Sequence, residues 1–377
     1  MNPIITNIEE KGNNTMTFTL SGVNVSLANA LRRTILSDIN TVVFNTTNYE
    51  NSSKNCVIFE NTSRLNNEII KQRLSCIPIH IVDLSEGGLE IDKHYMEIKV
   101  ENDTESTIYV TTEDFKIINR DTKKEIDKAI THEIFKPHYF TGDYIDFIRL
   151  RPKVGIIPAE KIHLTCAFSI ASAKQDGMFN VVSTCSYGFT VDPVEQDKQL
   201  VSKKVEWEGK DADFEEKNWR LLDGLRFTIP DSFDFTIESV GVFLPHDLIK
   251  KACNIINRQL DEFVTKLPDL NITKLNNQNT ISNCYDITLE NDDYTIGKVL
   301  EYMMYSKFYE GRGEERVLSF CGYKKMHPHD PHSILRLAFL KDDGATTPLI
   351  TQNLKKSAVS AIEAFCCIKD IMKAKRK

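Results

Sequence analysis

The chain repeats one pattern of its own. Residues 18–36, FTLSGVNVSLANALRRTIL, lie without a gap over residues 287–305, ITLENDDYTIGKVLEYMMY. Thr19/Thr288, Leu20/Leu289 and Leu31/Leu300 are identical, while Ser26/Thr295, Leu27/Ile296, Ala28/Gly297 and Ile35/Met304 keep the same chemistry. Each copy reads as strand, polar turn, hydroxyl N-cap and amphipathic helix. A solenoid needs about three or more units to bury its faces, so a single pair of copies predicts a dimer fused into one polypeptide, with an internal pseudo-twofold.

The elements around the repeat can be read from periodicity. Residues 14–20 alternate strictly, with Met16, Phe18 and Leu20 on one face and Thr15, Thr17 and Thr19 on the other, as in a half-buried antiparallel strand. Ser26 is placed to cap a helix running to about Asp38. Leu27, Leu31 and Ile35 form its apolar stripe, and Arg32 and Arg33 lie off it. In the second copy a strand over 285–289 leads to a helix over 295–308, whose face is Ile296, Val299, Leu300, Met303 and Met304. A hairpin over 316–323 and 333–340 follows, then a final helix over 351–373. Between the copies, residues 45–185 break into short β-like runs separated by Asn, Asp, Gly and Ser, which predicts a β-rich insert. Residues 233–243 restore a strand, Pro245 stands at a helix-opening position, and Leu248, Ala252, Ile255, Ile256, Leu260 and Phe263 give a long helical stripe. The Asn-rich residues 270–280, after Pro268, read as a linker. The expected architecture is α+β: a first half (1–44 and 186–268), an insert (45–185), a linker (269–283) and a second half (284–377).

Composition narrows the function classes. With 377 residues and 41% hydrophobic content, two or three domains with real cores are expected. The N-terminus carries acids where a signal peptide needs basic residues, and no apolar run reaches spanning length, so neither export nor a membrane anchor is expected. The nine cysteines are odd in number and scattered, which is reduced-compartment usage. A net charge of −7 repels a phosphate backbone, so autonomous nucleic-acid binding is not expected.

No Gly-rich phosphate loop, nucleophile elbow or paired metal-binding carboxylate motif is patterned, so no catalytic residue and no cofactor is expected. His80, His94, His132 and His163 have no Cys or Ser nucleophile motif beside them and read as structural. Residues 327–332, HPHDPH, hold enough His and Asp to ligate a metal, but Pro328 and Pro331 force an extended turn, and a plain hairpin loop is the preferred reading. Cys366 and Cys367 lie about 100° apart on a helix and read as one core thiol with a half-exposed neighbour. The basic run 369–377 reads as favourable charge at a helix C-terminus in preference to a nucleic-acid tail.

Residues 26–37, SLANALRRTILS, resemble the signature helix of the α-type subunits of cellular RNA polymerases: bacterial α, archaeal D and the third-largest subunit of eukaryotic RNA polymerase II. Residues 64–81, with QRLSCIPI at 72–79, look like that family's HRLGLIPL segment; residues 96–115, with NDTESTIYV at 102–110, are similar to the insert strand that follows it, and residues 235–241, FTIESVG, to the strand that re-enters the dimerisation domain. The second copy resembles the smaller partner, the archaeal L and eukaryotic eleventh-subunit family. There, residues 292–300, DDYTIGKVL, match DHTLGNLL, and residues 320–328, FCGYKKMHP, match FAGYKVPHP.

The resemblance implies a non-catalytic platform on which the largest and second-largest polymerase subunits nucleate, with small polymerase subunits as further partners. It implies that Leu27, Leu31 and Ile35 pack against Ile296, Leu300 and Met303 across the pseudo-twofold. At roughly 1.5 to 3 kcal/mol per buried aliphatic side chain, against about 0 to 1 for a surface ion pair, apolar packing is expected to hold such a platform together. In the family the second arginine of the Arg32, Arg33 pair faces the second-largest subunit, so Arg33, with Arg32 beside it, is the expected partner contact; the alternative is two solvated helix arginines. Eukaryotic members often carry a cysteine cluster for zinc just past the Ile-Pro segment. Here Cys76 stands alone and residues 83–95 contain no cysteine, so no metal is expected. Fusions of this kind are a habit of large DNA viruses, implying host cytoplasm and virion, or the nucleus if the polymerase works there. A free-standing structural or virion interaction protein that reuses the fold is the alternative function, and a Cys/His hydrolase ranks last because it needs a triad that the sequence does not pattern.

Overall fold

The computed structural model describes residues 1–12, 14–47, 55–82, 89–207, 211–275, 281–290, 293–341 and 347–374. Residues 276–280 of the expected linker, Asp292 of the second-copy motif and the last three residues of the basic run lie outside them. Strands β1 (Ile4–Lys11) and β2 (Thr15–Ser21) open the chain as an antiparallel hairpin. Met16, Phe18 and Leu20 of β2 are buried, as their alternation requires. Helix α1 (Val25–Ser37) follows, burying Leu27, Leu31 and Ile35. Its cap is Asn24, whose Oδ1 accepts the Ser26 amide at 2.9 Å, so the capping side chain lies two residues earlier than expected.

Residues Leu36–Ser183, with Ser239–Leu244, form one compact unit. Its strands are β3 (Thr41–Val43), β4 (Cys56–Asn61), β5 (His94–Glu101), β6 (Ile108–Thr111), β7 (Lys116–Asn119), β8 (Asp146–Leu150), β9 (Lys161–Ala167) and β10 (Ser169–Ala171). They assemble as a four-stranded sheet, β4-β9-β5-β7, and the pairs β6-β8 and β3-β10. Two short helices, α2 (Asn67–Ser75) and α3 (Lys128–Ile134), complete the unit, capped by Asn66 and Asp127. The rings of Phe44, Phe115, Phe135, Phe147 and Phe168 gather in its core. Asn102 is fully buried but polar, and its amide donates to the carbonyls of Ser106 and Leu150, both at 2.8 Å.

The other compact unit comprises Met1–Ile35, Thr184–Glu238 and Pro245–Lys377. To β1, β2 and α1 it adds β11 (Val182–Val191), α4 (Pro193–Lys204), α5 (Ala212–Leu221), β12 (Thr228–Ser239) and α6 (Pro245–Lys266). Strand β12 pairs with β2 so that Phe235 faces Phe18, their rings stacked 5.1 Å apart. It ends at Ser239, short of the expected 243, where Gly241 takes a φ of +101° that suits a residue without a Cβ. Pro245 opens α6, as its position predicts. Helices α4 and α5, which periodicity did not reveal, share a small core of Leu200, Trp207, Trp219 and Phe227. Their other side leaves Val194, Val201, Val205, Phe214 and Leu221 exposed.

The remaining elements are β13 (Asn271–Lys274), β14 (Cys284–Glu290), α7 (Tyr294–Met304), β15 (Leu318–Lys324), β16 (His332–Phe339) and α8 (Thr347–Ala374). Strand β13 lies in the stretch read as a linker and pairs with β14. Helix α7 stops before the expected 308 and passes into a π-turn over Tyr305–Tyr309.

The duplication is more complete than the sequence repeat. One sheet runs β1-β2-β12-β11 and the other β13-β14-β16-β15. Leaving aside the insert and helices α4 and α5, each half is two strands, a helix, two strands and a helix in chain order, with the same spatial order of strands. Within the sheets, the Phe18–Phe235 pair has its counterpart in Ile287 opposite Leu335. Helix α6 packs along α8, its equivalent in the second half, and α8 also packs along α7. The chain has the α+β architecture expected, two dimerisation halves forming an intramolecular pseudo-dimer.

Candidate assembly interface

The six side chains expected at the pseudo-dimer contact are all buried in this unit. Leu27, Leu31, Ile35 and Leu300 are wholly inaccessible, and Ile296 and Met303 nearly so. A polar contact joins the two halves: Asn257 of α6 donates to Cys366 Sγ of α8 at 3.2 Å. Within the second half, Ser357 of α8 donates to Met304 Sδ of α7 at 3.1 Å. Cys366 is thus half-buried and Cys367 exposed, a correction to the expected core thiol, because the helix face carrying Phe365 and Ile368 points inward instead.

Arg33 leaves α1 toward the second half. Its Nη2 donates to Asp293 Oδ2 and its Nε to Thr295 Oγ1, each at 2.9 Å. Asp293 is the N-cap of α7, its Oδ1 accepting the Thr295 amide at 2.7 Å. In the repeat Asp293 is the counterpart of Asn24, so both copies place the cap two residues before the hydroxyl residue. Burial pushes the Asp293 carboxyl upward, but the Thr295 hydrogen bonds and the Arg33 guanidinium outweigh it and hold the group below the ordinary aspartate range. Arg32 behaves differently. It stays on its own helix, its Nε and Nη2 donating to Asn29 Oδ1 at 3.0 and 2.9 Å. Sequence reasoning missed the Arg33–Asp293 contact; the aligned Asn24 and Asp293 mark the shared cap position but not the arginine that meets it.

The four histidines read as structural each hold a partner. His80 Nδ1 meets the Ile134 carbonyl at 3.1 Å, His94 Nδ1 the Glu90 carbonyl at 2.8 Å, His132 Nδ1 the Tyr144 hydroxyl at 3.0 Å, and His163 Nε2 the Glu97 carboxylate at 3.0 Å. Residues 327–332 span the turn between β15 and β16, where the His329 amide donates to His327 Nδ1 at 3.2 Å. Among the described residues no group of three His, Cys, Asp or Glu side chains is gathered to hold a metal.

A buried seam between two like half-folds, cross-linked by an arginine from one half on the helix cap of the other, defines a dimerisation module carried on a single chain. The family model for the RNA polymerase Rpb3/Rpb11 dimerisation domain matches residues 17–260, and the chain belongs to that family. Curated relatives agree. The chain is 24% identical over 287 residues to the DNA-directed RNA polymerase subunit Rpo3 of Pyrococcus horikoshii, covering 70% of this chain and 97% of that protein. It is 23% identical over 301 residues to the bovine DNA-directed RNA polymerases I and III subunit RPAC1, covering 67% and 82%, and 24% identical over 306 residues to a conjugation stage-specific protein of Tetrahymena thermophila, covering 68% and 92%. Residues 261–377, with the second sheet, lie beyond the family match.

Proposed function

We propose that this chain is a non-catalytic subunit of a multisubunit DNA-directed RNA polymerase, serving as the platform on which the largest and second-largest subunits gather. One observation carries the reading: the second half repeats the strand order of the first and packs its long helix α8 along α6. A chain belonging to a dimerisation family, with both members of the pair in one polypeptide, supplies a complete platform without a bimolecular step. The first half stands for the larger Rpb3-like partner and the second for the smaller Rpb11-like one. Such a tandem fits the compact transcription machinery of a large DNA virus.

We assign the partner contact to Arg32 and Arg33 of α1, of which Arg32 is held by Asn29 on its own helix and Arg33 by Asp293 of the second half. The exposed apolar side chains of α4 and α5 are the kind of surface that neighbouring subunits cover in an assembly. The test is affinity purification of the tagged chain from its native source at high salt. The expected result is co-elution of two large polymerase subunits together with DNA-directed RNA synthesis. Elution of the chain alone, or with structural proteins and no RNA synthesis, overturns the reading in favour of a free-standing interaction protein.

A further inference from the structure

Cys56 is the first residue of β4, and in the antiparallel register of β4 with β9 its direct partner is Cys166. Both are free thiols, both face the same side of the sheet, and both belong to the aromatic core of their unit. Directly opposed residues on antiparallel strands have Cα atoms about 4.5 to 5.5 Å apart, inside the roughly 4.4 to 6.8 Å that a disulfide bridges. Strand β4 is the edge of its sheet, held by β9 alone. We propose that Cys56 and Cys166 are a covalent modification site, a dithiol that a hydroperoxide oxidises to a cross-strand disulfide fastening β4 to β9.

The two sulfurs are differentiated for those roles. The neighbouring Cys166 thiol and the charge of Lys71, opposed by burial, lower the Cys56 pKa. Burial raises Cys166, whose thiol donates to the Ala167 carbonyl at 3.6 Å, well above the usual thiol range. By contrast, burial pushes Cys185, Cys253 and Cys321 up to about 12. Cys56 opens the edge strand and is 4% exposed against 1% for Cys166, so the first attack is assigned to Cys56 and its resolution to Cys166. The Cys56 thiolate attacks the terminal oxygen of the hydroperoxide, the O–O bond breaks, and the departing alkoxide takes up the proton that Cys56 lost, leaving an alcohol and a sulfenic acid. Cys166 then attacks the Cys56 sulfur, the S–O bond breaks, and hydroxide leaves as water with the Cys166 proton. Two thiols are oxidised by two electrons and one peroxide bond is reduced.

The full-length chain is treated with hydrogen peroxide, unfolded in acid, alkylated with N-ethylmaleimide and digested for mass spectrometry. The expected product joins the peptide carrying Cys56 to the peptide carrying Cys166, two hydrogens lighter than the free pair. It is abolished by dithiothreitol and lost in both Cys56→Ser and Cys166→Ser. In Cys166→Ser, a dimedone adduct on Cys56 is expected. Full alkylation of Cys56 and Cys166 after peroxide treatment, with oxidation confined to the exposed Cys76 and Cys367, overturns the proposal.

Discussion

Arg33 and Asp293, separated by most of the chain, are joined by a 2.9 Å ion pair that sets a first-half arginine on the N-cap of the second half's equivalent helix. The cap already satisfies the Thr295 amide, and the arginine completes it from outside by bonding both the carboxylate and the Thr295 hydroxyl. The carboxylate that the positive end of the helix dipole favours is thus paired with a cation from the other half of the pseudo-dimer.

Because the side chains of Arg33 and Asp293 are 38% and 39% exposed, water screens the pair, and Arg33→Ala is expected to cost about 1 kcal/mol without unfolding the chain. Arg33→Lys should recover only part of that, since an ammonium cannot reach both acceptors in the planar geometry of a guanidinium. Arg32→Ala should change stability by less than about 0.5 kcal/mol. Denaturant midpoints of the purified chains check all three, and co-purification of the large subunits reads any effect on assembly separately.

The Asp293 carboxyl is held below its ordinary range, so between the folded value and the unfolded value near about 4 the unfolded chain binds more protons. Its contribution is fully present above about pH 4 and is lost as the pH falls through the folded pKa. Asp293→Asn should therefore be less stable than the wild type at neutral pH and approach it in acid. Unfolding midpoints of the two chains compared from pH 7 down to pH 3 would show it; a gap that widens in acid contradicts the assignment.

Gly297 occupies the position that Ala28 holds in the first copy, yet a Cβ there would fall inside the ring of Tyr323. Gly297→Ala should destabilise by about 1 to 3 kcal/mol despite the gain in helix propensity, because Tyr323 must move. Ala28→Gly should cost about 1 kcal/mol through propensity and lost packing. Thermal melting distinguishes them, and a Gly297→Ala chain more stable than wild type would contradict the packing described.

Leu31 and Leu300 are counterparts in the repeat and both are wholly buried. Truncating either to Ala should cost about 2 to 5 kcal/mol, and by similar amounts in the two halves. The same denaturant titrations measure it.

The buried faces of α1 and α7 were legible because periodicity marks them: Leu27, Leu31 and Ile35 on α1, and Ile296, Leu300 and Met303 on α7. Polar detail was less so. Asn24 takes the capping role from Ser26 because an Asx side chain just outside the first turn reaches the free amides as well as a hydroxyl does. Strand β13 hides in an Asn-rich stretch because an edge strand needs little apolar character when one side faces water. Helices α4 and α5 bury little beyond two tryptophans, so neither shows a strong stripe. Arg33 sits off the stripe, and its partner could be named only once the two copies were brought together.

The Arg33–Asp293 pair also tells like halves from unlike ones. In a pairing of two first halves, the arginine would meet Asn24, the counterpart of Asp293; in a pairing of two second halves, Asp293 would meet Tyr302, the counterpart of Arg33. Either homotypic match forfeits the charge complement, a preference of about 1 kcal/mol for unlike halves over like ones.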